Sequence, residues 1–245
     1  MKIIDLTREI NNSTQVCPCD RTPVVEHYAT TEEEGVNVKF LKIGTHTATH
    51  IDAPYHISKT GKTLNDFPAD WFVGMGMVLD FSSKGEMYKI TREDIMAYEE
   101  ELRQVDFAIL NTGWEPYYGT WDFFRHPYLS EEAAKAFTEV GIRIVGTDGS
   151  SADAAFGFST AKRLSNPSFM DILENMEREN VRNEAHTALL GCDCLIVEYL
   201  CNLENLPKEP AFYSFLPLKI EEADGSPVRA ICMPEIKIKK TEGKK

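Results

Sequence analysis

The sequence predicts an α/β or α+β domain built on a mixed sheet or barrel-like core. Strand-like runs recur along the whole chain, capped helical segments are fewer and lie among them, and no repeat or linker divides the 245 residues. A chain of this length can bury a large core, so one domain over residues 1–238 is expected, with Lys239–Lys245 as a solvated tail.

The strand-like runs lie at 24–28, 36–43, 73–81, 107–112, 142–147, 194–199, 214–220 and 228–238. Residues 36–43 are rich in β-branched and aromatic side chains, as strands require. Thr91-Arg-Glu-Asp starts a helix, with Thr91 as N-cap and acids in the first turn. Ser130-Glu-Glu-Ala starts a second, which Gly141 ends. Residues 167–178 and 181–190 are also expected to be helical, the latter closed by Gly191. Periodicity does not fix how these elements connect.

Bulk charge excludes some partners. A formal charge of −13 argues against nucleic acid and against an anionic membrane surface. No run approaches the length of a membrane span, and Met1-Lys-Ile-Ile-Asp meets an acid too early for a signal-peptide core, which favours the cytoplasm. The six cysteines do not read as a disulfide framework in such a chain. Cys192 and Cys194 read as small buried hydrophobes in or beside a strand, whereas Cys17 and Cys19 sit in a Pro-containing loop that could approach a site.

The densest chemistry lies at His46-Thr-Ala-Thr-His50-Ile-Asp52-Ala-Pro-Tyr-His56. Imidazole nitrogens and a carboxylate are the usual ligands of a divalent ion such as zinc or manganese. On a helix, Asp52 would point away from His46 and His50; at period 2 all three share a face. The cluster therefore belongs on or just after a strand. A fully extended chain separates i and i+4 by roughly 13 Å, too far for His46 and His50 to share an ion, so a bulge or bend is expected there. Pro54 ends the extended segment, and Pro54 and Tyr55 stiffen the approach to His56. The alternative is a hydrogen-bonded polar cluster without metal.

Two distant residues fit the same chemistry. Glu198 lies inside the apolar run Leu195-Ile-Val-Glu-Tyr, where a carboxylate is costly unless paired with a cation or bound to metal. His186 is either a further ligand or an ordinary helix-surface histidine. Trp114, Tyr117, Tyr118, Trp121, Phe123, Phe124 and Tyr128 crowd one segment, which either walls an aryl site or packs onto the core. No G-x-S-x-G elbow or P-loop occurs.

Together these stretches resemble the metal-dependent cyclase family that includes bacterial kynurenine formamidase and isatin hydrolase. The likeness rests on the H-x3-H-x-D-x3-H segment, Gly146-Thr-Asp-Gly-Ser-Ser-Ala-Asp153, the His186 helix, Glu198 in its strand and Asp224-Gly-Ser-Pro-Val-Arg-Ala-Ile231, in order along nearly the whole chain. The resemblance implies a compact α/β domain around a β-barrel-like core with flanking helices, of the swivelling β/β/α type, as a homodimer or higher homo-oligomer. It implies that His46, His50 and Asp52 hold one ion and that Asp52, His186 and Glu198 hold a second, both zinc or manganese. His56 would be the catalytic base. The implied reaction is hydrolysis of a small-molecule aryl formamide, N-formylkynurenine to kynurenine and formate, in tryptophan degradation. Opening of a cyclic amide such as isatin is the nearest alternative, and a non-catalytic metal or small-molecule binder is another. Two departures from the family pattern stand out. Ala48 replaces a usual glycine, which implies an unusual backbone angle there. Cys17-Pro-Cys-Asp20 replaces a P-G-D-like segment that approaches the substrate in relatives.

Overall fold

A computed structural model of the chain describes residues 1–18, 20–155 and 183–238. In chain order the strands begin with β1 (Ile4–Asp5), β2 (Val24–Ala29), β3 (Val38–Lys42), β4 (His50–Asp52) and β5 (Val73–Asp80). After β6 (Lys89–Ile90) come helices α1 (Arg92–Met96) and α2 (Glu99–Leu102), then β7 (Phe107–Asn111) and β8 (Tyr128–Leu129). Helix α3 (Glu131–Glu139), β9 (Ile144–Thr147), α4 (Glu184–Leu190) and β10 (Leu195–Glu198) follow. The chain closes with β11 (Ala211–Ser214), β12 (Gly225–Pro227) and β13 (Ile231–Met233).

Nine strands form one curled mixed sheet in the order β1-β13-β11-β5-β7-β9-β10-β4-β12. Its centre, β5-β7-β9-β10, is parallel, and its two flanks are antiparallel. That is the α/β class with a barrel-like core. The parallel strands read as continuous apolar runs because both faces are covered. Phe107, Ala108, Ile109, Ile144, Val145, Leu195, Ile196 and Val197 are all fully buried. Helix α3 packs on α4 and α1, and its buried stripe is Ala133, Ala134, Ala136 and Phe137. Among the described residues no helix is long and apolar enough to cross a membrane.

The helix caps form as expected. Thr91 accepts from Asp94 N at the start of α1, and Ser130 accepts from Ala133 N at the start of α3. Gly141 follows α3 with φ +84°, and Gly191 closes α4. The helix expected at 167–178, the first residues of the one expected at 181–190, Cys19 and the tail 239–245 lie outside the described residues.

Three expectations need correction. The strand placed at 214–220 is β11, Ala211–Ser214; beyond it Pro217 has no N–H to donate to a ladder, and Leu216 and Leu218 are exposed. The run 228–238 contains only the short β13, and chain beyond Met233 turns at Pro234. Cys194 is buried, but Cys192 is exposed because it sits in the turn between α4 and β10.

Candidate metal centre

Sheet register brings the donors together. Strand β4 lies between β10 and β12, and its pairing sets His50 opposite Glu198 and Asp52 opposite Gly225. Directly paired residues share a face, and residues i and i+2 share it too. His50, Asp52 and Glu198 therefore project to the same side. The expected bend is present just upstream. Residues 45–49 turn instead of extending, and Ala48 adopts φ +57°. This left-handed conformation, which a glycine adopts more easily than an alanine, folds His46 back beside His50, with ring centroids 5.0 Å apart.

His186 joins from helix α4. It is buried, not on a helix surface. Asp153, in the loop after β9, fixes it three times: it accepts from Ala185 N at 2.8 Å, from His186 N at 3.0 Å and from His186 Nδ1–H at 2.7 Å. A carboxylate at the first turn also complements the helix dipole.

Each of the three histidines has one ring nitrogen held by an oxygen that can only accept. His46 Nε2–H donates to Asp224 Oδ2 at 3.0 Å, His50 Nδ1–H donates to the Ala48 carbonyl at 2.8 Å, and His186 Nδ1–H donates to Asp153. This places a proton on each outer nitrogen and turns His46 Nδ1, His50 Nε2 and His186 Nε2 inward. All three face Asp52. His46 Nδ1 is 2.7 Å and His50 Nε2 3.3 Å from Oδ1, while His186 Nε2 is 3.5 Å from Oδ2. Both Asp52 oxygens are buried, yet among the described residues neither accepts a bond of hydrogen-bond geometry; the histidines face them as ion-pair partners. Inward ring nitrogens converging on a buried carboxylate are a donor set that can exchange its protons for a cation.

Glu198 completes the set. Its Oε1 accepts from Ala152 N at 2.9 Å and lies 3.4 Å from His186 Nε2; its Oε2 lies 3.6 Å from His50 Nε2. Among the described residues its ion-pair partners are histidines, and no arginine or lysine pairs with it. Among the described residues three groups could each hold an ion: His46/His50/Asp52 and Asp52/His186/Glu198, with Asp52 common to both, and His46/His56/Asp224 at the rim.

The electrostatics point the same way. Burial would lower the His46 imidazole, but Asp52 and Asp224 outweigh it and push it up to about 10. His186 is likewise held well above its usual value against burial, by Asp153, Asp52 and Glu198. Burial and the neighbouring Asp52 charge push Glu198 up to about 7. Asp52 resists burial and stays well below the usual carboxylate range because His46 and His50 face it. Without an ion, the cluster holds protons where a cation would sit.

His56 lies at the edge of the cluster, where His46, His56 and Asp224 bring ring nitrogens and a carboxylate oxygen close enough to hold an ion. It follows Pro54 in a single 3-10 turn, Pro54–His56, at the partly exposed rim. Its ring centroid is 4.1 Å from that of His46 and 5.9 Å from that of His186. Burial, with the charges of His46 and His186, lowers its pKa despite Asp52 and Asp224, which favours the neutral ring.

The aromatic segment divides into two roles. Trp114, Phe123 and Phe124 are buried and pack with Tyr199, so for them the packing alternative holds. Trp121 is exposed, and with Phe124, Val16, Cys17 and Pro18 it lines a cavity of about 340 Å³. Phe124 and Cys17 connect that cavity to Tyr199, whose ring centroid is 5.8 Å from that of His50.

Sequence reasoning missed the residues that orient the ligands. Asp153 and Asp224 appear in the stretches that carry the family resemblance, but only the fold sets them against His186 and His46.

Comparison with known proteins agrees with this architecture. The family model named Cyclase matches residues 4–154. This chain belongs to the cyclase family. It is 28% identical to the kynurenine formamidase of Salinibacter ruber, covering 94% of this chain and 97% of that one. It is 30% identical to the kynurenine formamidase of Bacillus cytotoxicus, with the same coverage. Among solved structures, isatin hydrolase A from Labrenzia aggregata superposes with a TM-score of 0.77 at 24% identity, covering 95% of this chain and 93% of that one. A predicted metal-dependent hydrolase from Bacillus stearothermophilus gives a TM-score of 0.69 at 23% identity, over 94% and 97% of the two chains. The relatives support a hydrolase of the cyclase family.

Proposed function

We propose that this protein is a metal-dependent amidohydrolase of aryl formamides, with N-formylkynurenine as substrate and kynurenine and formate as products. The observation that carries the proposal is Asp52: a fully buried carboxylate with neither oxygen hydrogen-bonded, faced by three oriented histidines. His46, His50, Asp52, His186 and Glu198 would hold two zinc or manganese ions. Bound there, such ions supply a water-derived nucleophile at neutral pH and polarise a substrate carbonyl.

The chain's own residues do the rest. Neutral His56, at the rim, takes a proton from the attacking water as its oxygen bonds to the formyl carbon. The C–N bond then breaks, and His56 returns the proton to the leaving aryl amine. The aryl ring is accommodated by the cavity beside Trp121 and Phe124. The curated relatives, similar along nearly the full chain, support the formamide over other amides.

A spectrophotometric assay tests the reading. Protein loaded with zinc or manganese should release kynurenine from N-formylkynurenine and should do so faster than it opens isatin. Faster opening of isatin would move the substrate to cyclic amides; stoichiometric metal with no turnover of either would make the protein a binder.

The reading includes a homo-oligomer. Among the described residues, strands β2 and β3 pair only with each other and expose Tyr28, Val38, Phe40 and Leu41. A two-stranded hairpin is marginal alone, so cover by a second copy would stabilise it. Light scattering should show an assembly that Phe40→Asp weakens; a monomeric wild type would refute it.

A further inference from the structure

We propose that Asp224 is a positioning residue that seats the ligand His46 and the base His56 with one carboxylate; this rests on the roles proposed above for those histidines. Its Oδ2 accepts from His46 Nε2–H at 3.0 Å, and the same oxygen lies 3.6 Å from His56 Nδ1. The Ala48 carbonyl and Asp153 each orient one ligand histidine. Asp224 is the one that also reaches a residue outside the donor set.

The sheet fixes this placement. Asp224 directly precedes β12, whose Gly225 pairs with Asp52, and its carbonyl accepts from Ala53 N at 2.9 Å. The carboxylate is therefore locked against the segment that carries His46, Asp52 and His56. Gly225 serves the same seat: a Cβ there would lie 2.8 Å from His46 Cε1 and push the ring away.

Two consequences follow for the rings. On His46 the carboxylate keeps the proton on Nε2 and leaves Nδ1 to a cation; loss of such an outer partner typically costs 10–100-fold in metal affinity or activity. On His56 a carboxylate facing Nδ1 draws the ring proton to that side and leaves Nε2 as the atom that accepts a proton. One side chain thus sets both the cation's ligand and the base's tautomer.

The test uses three readouts on Asp224→Ala and Asp224→Asn. Competition with a chromophoric chelator should show zinc binding about 10–100-fold weaker in Asp224→Ala. Long-range proton–nitrogen correlation spectra should show His56 as the Nδ1–H form in the wild type and as a mixture in Asp224→Ala. Turnover of the aryl formamide should fall in kcat with KM nearly unchanged, and added acetate should restore part of it because Asp224 is partly open to solvent. Asp224→Asn keeps an acceptor of the same size and should lie between the two. Wild-type zinc affinity and an unchanged His56 tautomer in Asp224→Ala would overturn the proposal. So would a variant that only unfolds more easily, with metal binding and tautomer intact in Asp224→Asn. The zinc and tautomer arms need no substrate, so a wild type inert toward formamides would sink the proposed reaction and leave this inference standing or falling by itself.

Discussion

Asp52 and Asp148 are both about 1% exposed, and their surroundings could hardly differ more. Asp148 accepts from Thr112 N at 3.0 Å, Thr112 Oγ1 at 2.6 Å and Trp114 N at 3.0 Å. Asp52 accepts nothing that satisfies hydrogen-bond geometry. One carboxylate is answered by the protein, tying the end of β7 to the loop after β9. The other is met only by histidine rings, which a cation could replace as its partner. Burial of a charge is thus no sign of function by itself; a buried carboxylate ringed by metal-ligating side chains is the stronger sign.

The contrast breaks most sharply at Asp52. Asp52→Asn should lose bound metal, measured by elemental analysis, and with it turnover. Chelation of the wild type should lower its unfolding free energy by about 4 kcal/mol where free metal had stood at 1,000 times Kd, and should leave Asp52→Asn unmoved. Full metal occupancy in the variant would end the bridging assignment. His56→Ala comes next. It should keep its metal and near-normal KM while turnover drops by about 10²–10⁴-fold, because only a proton-transfer group is gone. Metal loss in step with activity would make His56 a ligand.

Asp148→Asn sharpens the other side of the comparison. Metal content should stay at the wild-type level, and stability should fall by about 1.5–3 kcal/mol in urea titrations. A histidine pair repeats the lesson. Where His186 is held charged by carboxylates, His126 is fully buried and neutral: its Nδ1–H donates to the Pro127 carbonyl at 2.8 Å and its Nε2 accepts from Ser150 Oγ at 3.0 Å. Burial lowers His126 to about 4. An unfolded histidine titrates near 6.5, so between 6.5 and 4 the unfolded chain binds the extra proton. The stability this group contributes is complete above pH 6.5 and is lost as pH falls through that window, about 3 kcal/mol at most. His126→Gln should flatten this part of the acid limb; an identical acid limb in both proteins would refute it. Ala48→Gly should have the smallest effect. Relief of a left-handed alanine and the greater freedom of an unfolded glycine nearly offset, so stability should move by less than about 1 kcal/mol with metal retained.

The sequence made part of this site legible and hid the rest for identifiable reasons. His46, His50, Asp52 and His56 stand out because the donors crowd one short segment whose spacing suits a strand and a bend. Glu198 stands out because a charge in an apolar strand demands a partner. His186 carries no local signal, since one histidine on a helix fits a surface as well as a core; only its place in the family pattern marks it. The orienting oxygens of Ala48, Asp153 and Asp224 depend on a backbone angle or on contacts across the fold. The fold itself follows the same rule. Apolar runs locate β5, β7, β9 and β10, whereas the insertion of β4 between β10 and β12 leaves no trace in periodicity. Pro217 shows how an apolar run can overstate a strand.

The seam between β4 and β10 joins the first quarter of the chain to its last. A cation gripped from both sides of that seam closes a long loop, as a crosslink would, and loop closure is costly to an unfolded chain. Because the strand period is 2, a slip of one residue would turn His50 and Asp52 to the opposite face. Loading with metal at the proposed site would therefore double as proofreading of topology: only a chain with this seam in register could be fastened.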